Sequence, residues 1–398
     1  MHNEGDNVTG RVRLARSRAP EGQTGSLWIF AGQIDAVRGD PKAGDVVDVC
    51  AHSGRFIGRG FFNPQSKIRV RLLTFRDEPI DEKLWASRIA AAQALRRRIV
   101  SGTTAYRLIH GESDILPGLI VDRYADALVM QTLSFGMARR KDLLADLLVQ
   151  ATGASAVYLR NDGHSLALEG LPVEQRFLRG TSPTTIEISE GTARFLVDIE
   201  HGQKTGWFCD QRENRLAVAS LAEGAAVLEA FCHTGAFGIH AALHGAASVI
   251  GLDVSREAVA MACDHARRNE VEGRCEYRDA DAFDEFPRLE RAGAKFDLVI
   301  LDPPSFARTK QAVPQALAGY KQINLRALRL VRPQGFLATC SCSHHVGEEE
   351  FWRMIQDAAR DAKRQLRLIE RRSQARDHPV LAAMPETRYL KCFILQVL

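Results

Sequence analysis

From residue 225 onward, short apolar runs alternate with stretches of helical spacing. "AVLEAF", "SVIGLDV", "CEYRDA", "FDLVILDPP" and "GFLATCSCS" are the runs. Strands separated by helices cannot be joined by tight hairpins, so the pattern requires an open, parallel α/β sheet with helices against it. Two later runs, "QLRLIERR" and "LKCFILQVL", supply a closing antiparallel pair. In sheets of this kind ligands sit beyond the carboxyl ends of the strands. The residues that end these runs are therefore the first candidates for chemistry.

The residues before this pattern are built differently. Up to about Arg76 the chain reads as short strands, "GSLWIF", "DVVDVCA", "GRFIGRGFF" and "KIRVRLLTF", separated by Gly, Pro and Asn. This is the pattern of a small β-barrel. After "RDEPID", Leu84, Ile89, Ala92, Leu95 and Ile99 form one stripe of a helix. A strand, turn and strand sequence follows, "AYRLIHGESDILPGLIVDRYADALVMQTLS", then the helix "MARRKDLLADLLVQATG", and further strands to about Ile199. A chain of 398 residues exceeds what one core usually supports. The reading is three domains: a β-barrel at 1–77, an α+β domain at 78–190 and the α/β domain at 191–398.

No apolar run approaches the roughly 18 residues of a membrane span, and "MHNEGDNVTG" is too polar for a signal peptide. The expected location is the cytoplasm, away from any membrane. The eight cysteines, at 50, 209, 232, 263, 275, 340, 342 and 392, contain no CxxC pair and no zinc-type Cys/His spacing. Neither a bound metal nor a disulfide framework is expected. Net charge is only +4, yet residues 1–76 hold 12 Lys and Arg against 7 Asp and Glu. Val49 to Arg76 contains no acid, and Arg55, Arg69 and Arg71 fall within it. Such a patch suits phosphates, or is a solvated β surface.

"VLEAFCHTGAFGIHAA" is a strand, a glycine-containing turn and a helix start, bringing Glu229, Phe231, Thr234 and Gly235 to a strand end. Gly235 and Gly238 permit close approach of a ligand to the helix N-terminus. The GxGxxG that seats a pyrophosphate is missing, which argues against NAD. Asp253 ends the next strand, 24 residues after Glu229, where an acid can accept both ribose hydroxyls. A nucleoside without a pyrophosphate, such as S-adenosylmethionine, satisfies both observations. Asp281 is placed to accept from an adenine amino group with Ala282 and Phe283 beside the ring, or to cap a helix.

"VILDPPSF" carries Asp302, Pro303 and Pro304 at a strand end. The prolines stiffen the loop and remove two donors, and Phe306 can stack on a flat base. A base-modifying methyltransferase follows from this motif combined with the glycine turn. C5 of cytosine is a poor nucleophile until a thiolate adds at C6. In "FLATCSCSHHV" the two-residue period puts Cys340 and Cys342 on one face, with Cys342 nearer the ligand end. Cys342 is the candidate thiolate, Cys340 the alternative, and Asp302 the partner of the N3/N4 edge of the base. A helix N-terminus near Gly347, His344 or His345 would lower the thiol pKa. The other readings are a guanine-amine RNA methyltransferase, whose cysteines only pack, and a non-catalytic RNA-binding or assembly factor.

At this point the chain resembles a family: bacterial 23S rRNA cytosine-C5 methyltransferases with an N-terminal PUA domain and a Rossmann-like class I methyltransferase domain. "GDVVDVCAHSGRFIGRGFFNPQSKIRVR" is similar to the PUA segment and "RLIHGESDILPGLIVDRY" to the middle domain. "VDIEHGQKTGWFCDQRENR" is similar to the stretch before the glycine turn, and "LDPPSFARTK", "GYKQIN", "SCS" and "DHPVLAAMPETRYLK" continue the match. The resemblance implies S-adenosylmethionine as cofactor and 23S rRNA as partner, with Cys342 as nucleophile. Asp253, Asp281 and Asp302 would line the pocket, Gln211 and Arg215 would approach the cofactor, and Lys321 and Asn324 would line the active site. Ser305 stands where many related RNA cytosine-C5 enzymes have a second cysteine for product release. The oligomeric state, a homodimer included, is left open.

Overall fold

The computed structural model describes residues 7–16, 25–163, 165–307 and 309–398. Packing divides the chain into two compact units. One is Met1–Ile188 with Val197–Cys209 and Arg376–Thr387; the other is Ser189–Leu196, Asp210–Ala375 and Arg388–Leu398.

The first unit opens with six strands, β1 (Val8–Leu14), β2 (Trp28–Phe30), β3 (Ile34–Gly39), β4 (Val46–Cys50), β5 (Phe56–Phe62) and β6 (Ile68–Thr74), in the order β2-β6-β5-β4-β1-β3. Alternation along β1, β4 and β6 turns Val12, Leu14, Val47, Val49, Val70 and Leu72 into one core. Helix α1 (Glu82–Ile99) begins where Asp81 accepts a hydrogen bond from the Leu84 amide. The strands β7 (Ala105–His110), β8 (Leu119–Tyr124) and β9 (Ala127–Thr132) follow. Next come α2 (Phe135–Ala138), α3 (Lys141–Thr152), β10 (Ala156–Asn161), α4 (Ser165–Glu169) and β11 (Glu174–Arg179). They form a second sheet, β11-β10-β9-β8-β7. The two regions that the sequence separates at residue 77 share a core: Val46, Phe61 and Leu73 pack with Trp85, Ile89, Leu144 and Leu148. Trp85 stacks on Phe61 at 5.9 Å.

After the β12 (Thr185–Glu190) and β13 (Ala193–Asp198) ribbon come α5 (Arg212–Ala219), β14 (Ala226–Ala230), α6 (Ala236–Leu243), β15 (Ser248–Asp253) and α7 (Arg256–Arg268). Then follow β16 (Cys275–Asp279), α8 (Ala282–Arg291), β17 (Phe296–Leu301), α9 (Val313–Leu330), β18 (Val331–Ser341), α10 (Glu348–Ala362), β19 (Leu366–Arg372) and β20 (Lys391–Val397). The sheet order is β16-β15-β14-β17-β18-β20-β19. β14 to β18 are parallel, as the alternation implies, and β20 is antiparallel to both its neighbours, β19 being the expected partner and β18 an additional one. Helices α8, α9 and α10 cover the face lined by Leu228, Ala230, Val299, Leu301 and Leu337, with Tyr320, Phe286 and Phe351 fully buried against it. Each such side chain contributes about 1.5–3 kcal/mol of burial. The alternate residues, Glu229 among them, face the other side, toward α6.

Candidate active site

The chain leaves β14 in one direction to build β15 and β16 and returns on the other side as β17 and β18, so the strand order reverses beside β14. A crevice opens at such a reversal. The register pairs Ala230 with Leu301 and Leu301 with Thr339, so residues 231, 302 and 340–342 emerge at one end of adjacent strands. The amide of Asp302 donates to the Ala230 carbonyl at 3.5 Å.

The loop after β14 is held by its backbone. Phe231 (φ 61°), His233 (φ 48°) and Gly235 (φ 78°) all adopt the left-handed conformation, which for the two non-glycine residues costs roughly 1–3 kcal/mol each. Asp253 compensates: its Oδ2 accepts from the His233 amide at 2.7 Å and its Oδ1 from the Ser255 amide at 3.0 Å. A Cβ on Gly235 would meet the Tyr277 ring at 2.7 Å, and one on Gly238 would meet Glu229 Oε2 at 2.6 Å. Thr234 is buried, and its carbonyl is bonded to His265 Nδ1 at 3.0 Å. Because His265 Nε2 accepts from the Leu196 amide, Nδ1 carries the proton, and burial keeps the ring neutral.

Glu229 is nearly inaccessible, accepting from the Gly238 amide at 2.8 Å. Burial pushes its carboxyl up to about 8, and the charges of Asp302 and Asp253 add to the rise, against hydrogen bonds from the Gly238 and Phe237 amides. Glu229, expected among the cofactor-binding residues, is buried on the Gly238 amide at the start of α6. Arg215 is displaced from its expected place beside the cofactor. Its guanidinium clamps both oxygens of the buried Glu190 (2.6 and 2.7 Å), which His240 Nε2 also reaches at 3.1 Å. Burial alone would raise Glu190, but Arg215 and His240 hold it well below the usual carboxylate range.

Gln211 does reach the site. Arg372 Nε, which can only donate, is bonded to Asn214 Oδ1; Asn214 Nδ2 then donates to Gln211 Oε1, and Gln211 Nε2 donates to Asp302 Oδ1 at 2.8 Å. The guanidinium thus sets both amide orientations and makes Asp302 an acceptor. Asp281 is exposed and caps α8 through the Phe283 amide, with Ala282 buried behind it. Phe231, Phe283 and Phe306 form a triangle of rings with centroids 6.2–6.4 Å apart, and Phe306 packs on Tyr320 at 4.6 Å. Phe306 is part of a wall, not an isolated stacking plate.

Cys342 follows β18 directly, and its thiol faces the Pro303 carbonyl at 4.0 Å. Pro303 is buried and Pro304 exposed. Cys340 is fully buried opposite Cys392, whose hydrogen bond together with burial drives the Cys340 thiol far up, so it packs rather than reacts. A hydroxyl network joins the two loops: Ser343 Oγ is bonded to Ser305 Oγ (3.1 Å) and to the Tyr320 hydroxyl (2.9 Å), which also accepts from Ser341. Tyr320 is therefore the residue of "GYKQIN" that reaches the site. Lys321 lies a third of a turn away, paired with Asp361 at 2.7 Å, and Asn324 is buried one turn on, donating to the Tyr320 carbonyl. Neither lines the site as expected. His344 and His345 are exposed, and His344 stacks on Tyr389 at 5.2 Å. The sequence reading also missed Lys391, buried at 6 % exposure with Nζ on the carbonyls of Ser343 (2.7 Å) and Tyr389 (2.8 Å).

In the first unit, Arg71 is committed to Glu169 (2.8 Å) and Glu112 (3.3 Å), and half-buried Arg69 donates to the Asn63 carbonyl. Arg71 is thus withdrawn from the expected phosphate contact. Arg55 is exposed, as are Arg11 and Arg38, which stand opposite each other on β1 and β3. None of these three guanidinium groups has a hydrogen bond or ion pair among the described residues. Like charges placed directly opposite are unfavourable without an anion. No helix of the described residues is long and apolar enough to cross a membrane.

The strained loop without pyrophosphate glycines, the rim acids Asp253, Asp281 and Asp302 and the aromatic wall fit a cationic nucleoside. Comparison with known proteins agrees. Residues 106–392 match a family model described as S-adenosylmethionine-dependent methyltransferase, and residues 12–75 match a PUA-like domain. The chain is 42% identical over 393 residues to the ribosomal RNA large subunit methyltransferase I of Shewanella denitrificans, covering 97% of this chain and 99% of that one. The protein of that name from Tolumonas auensis is 39% identical, covering 93% and 95%. The fold matches a candidate SAM-dependent methyltransferase from Streptococcus mutans with TM-score 0.83 at 20% identity, over 97% of this chain and 100% of that one. This chain belongs to the family of S-adenosylmethionine-dependent methyltransferases that includes the ribosomal RNA large subunit methyltransferase I proteins.

Proposed function

We propose that this protein methylates C5 of a cytosine in 23S rRNA through a covalent bond between Cys342 and C6 of the base. The observation that carries the reading is the position of the Cys342 thiol against the Pro303 carbonyl, one residue from Asp302, at the ends of neighbouring parallel strands. The names of the relatives and the PUA-like match support ribosomal RNA as substrate. Exposed Arg55, Arg11 and Arg38 would position the backbone by phosphate contacts.

The residues that would hold the cofactor are Asp253, Asp281 and Asp302 with the backbone from Phe231 to Gly235. When bound, S-adenosylmethionine supplies an electrophilic methyl group on a sulfonium. The chain's own part is to make the pyrimidine carbon reactive. The Cys342 thiolate forms a bond to C6, and the C5–C6 π electrons become available at C5. Asp302, held as an acceptor by Gln211, accepts from the N4 amino group of the extruded base and so holds the ring in place for the attack. After methylation a base removes the C5 proton, the C5–C6 double bond re-forms and the bond to Cys342 breaks.

RNA carrying 5-fluorocytidine tests this, because fluorine cannot leave as a proton does and the adduct is trapped. A covalent protein–RNA species that disappears in Cys342→Ala, together with loss of methylation, is the expected result. Methylation that persists in Cys342→Ala would sink the proposal.

A further inference from the structure

The thiol's expected helpers, His344 and His345, are exposed, and His344 stacks on Tyr389. Another cation is built into the strand beside it. Lys391 pairs with Ser341 in the antiparallel register of β18 and β20, and its side chain runs past the end of β18. There Nζ donates to the carbonyl of Ser343, the residue after Cys342, and to that of Tyr389. Two carbonyl acceptors suit an ammonium and fix its place. Burying a lysine this deeply is unfavourable unless something nearby repays the lost hydration.

We infer that Lys391 is a positioning cation for Cys342, anchored on two carbonyls so that its charge favours the thiolate over the thiol. Burial pushes the Lys391 ammonium down to about 8, and among the groups opposing that fall Cys342 comes first, ahead of Glu348, while Arg388 adds to it. Glu348 and Arg388 are paired with each other, so their opposite influences on the Lys391 ammonium largely cancel. Tyr389 donates its hydroxyl to Asp210 at 2.6 Å, and burial raises Tyr320, which keeps that phenol neutral. Lys391 is buried at the Cys342 corner, and its charge has the right sign.

The inference rests on Cys342 as the nucleophile, but its test does not require methylation. Alkylation of Cys342 by iodoacetamide, followed across pH by mass spectrometry of the peptide, reads the thiolate fraction directly. In Lys391→Met the midpoint is expected to rise by about one pH unit, slowing labelling near neutrality roughly ten-fold. Lys391→Arg, which keeps a charge, is expected to restore most of it. An unchanged midpoint in a folded Lys391→Met protein overturns the inference. Coupling is reciprocal, so should that variant not fold, Cys342→Ser provides the second arm. Carbon-13 NMR of the lysine Cε is expected to show Lys391 titrating at lower pH in Cys342→Ser than in the wild type, and an unmoved titration refutes the coupling. A 5-fluorocytidine adduct that forms alongside an unmoved thiol midpoint removes only the role of Lys391. Methylation surviving in Cys342→Ala removes the nucleophile and leaves the coupling measurable.

Discussion

The two corners of the site are held by different kinds of bond. Around residues 229–255 the carboxyl oxygens of Glu229 and Asp253 accept from main-chain amides, and the loop between them carries its strain in φ angles. Around residues 302–343 the parts are joined by side chains: the Gln211 amide on Asp302, the hydroxyls of Tyr320, Ser305 and Ser343, and the Lys391 ammonium. A main-chain scaffold is insensitive to most substitutions and suits a cofactor of constant shape. A side-chain scaffold can adjust protonation and position, which the proposed covalent chemistry at Cys342 would require.

This contrast is sharpest at Gly235. Gly235→Ala combines left-handed strain with a collision against Tyr277, and should cost about 3 kcal/mol in urea unfolding and abolish cofactor binding. A variant that binds the cofactor normally would show that the corner is not rigid. Glu229 gives the next largest effect. Its carboxyl is raised to about 8 from an ordinary value near 4.5, so the folded protein holds a proton that the unfolded chain has lost between those values. The stabilisation is therefore complete below about pH 4.5 and disappears as pH rises toward 8, at no more than about 1.4 kcal/mol per pH unit. Glu229→Gln should flatten stability between pH 5 and 8, and an unchanged slope would break the assignment. Tyr320→Phe removes the hydroxyl shared by Ser341 and Ser343. It should cost roughly 1–2 kcal/mol, lower kcat several-fold and leave cofactor affinity unchanged, whereas a change in affinity alone would erase the distinction between the corners.

The same contrast decides what could be read before the structure. Asp302, Pro303, Pro304, Gly235 and Asp253 are legible because strand ends and tight turns are local. Parallel β14 to β18 followed from alternation alone. Arg71 was misjudged because its partners, Glu112 and Glu169, lie 41 and 98 residues away. Of the "GYKQIN" residues, Lys321 faces Asp361 on another side of the helix, and Asn324 shares the Tyr320 face but lies one turn further on, spent on the Tyr320 carbonyl. Lys391 comes 48 residues after Ser343, and nothing in "RYLK" announces the carbonyls it meets. Glu229 carries a motif position but turns toward α6, a choice made by the strand's two-residue period and the missing side chain of Gly238.

The order β18-β20-β19 has a further effect on how the molecule is made. β20 is synthesised after both strands that it joins, so until it arrives β18 keeps a bare hydrogen-bonding edge and β19 has nothing to pair with. The nascent protein passes through a stage in which the parallel part of the sheet is complete but its antiparallel edge is not. Closure of that gap brings the ammonium of Lys391 onto the Ser343 carbonyl, so a chain interrupted before residue 391 would carry the Cys342 thiol without the proposed cation.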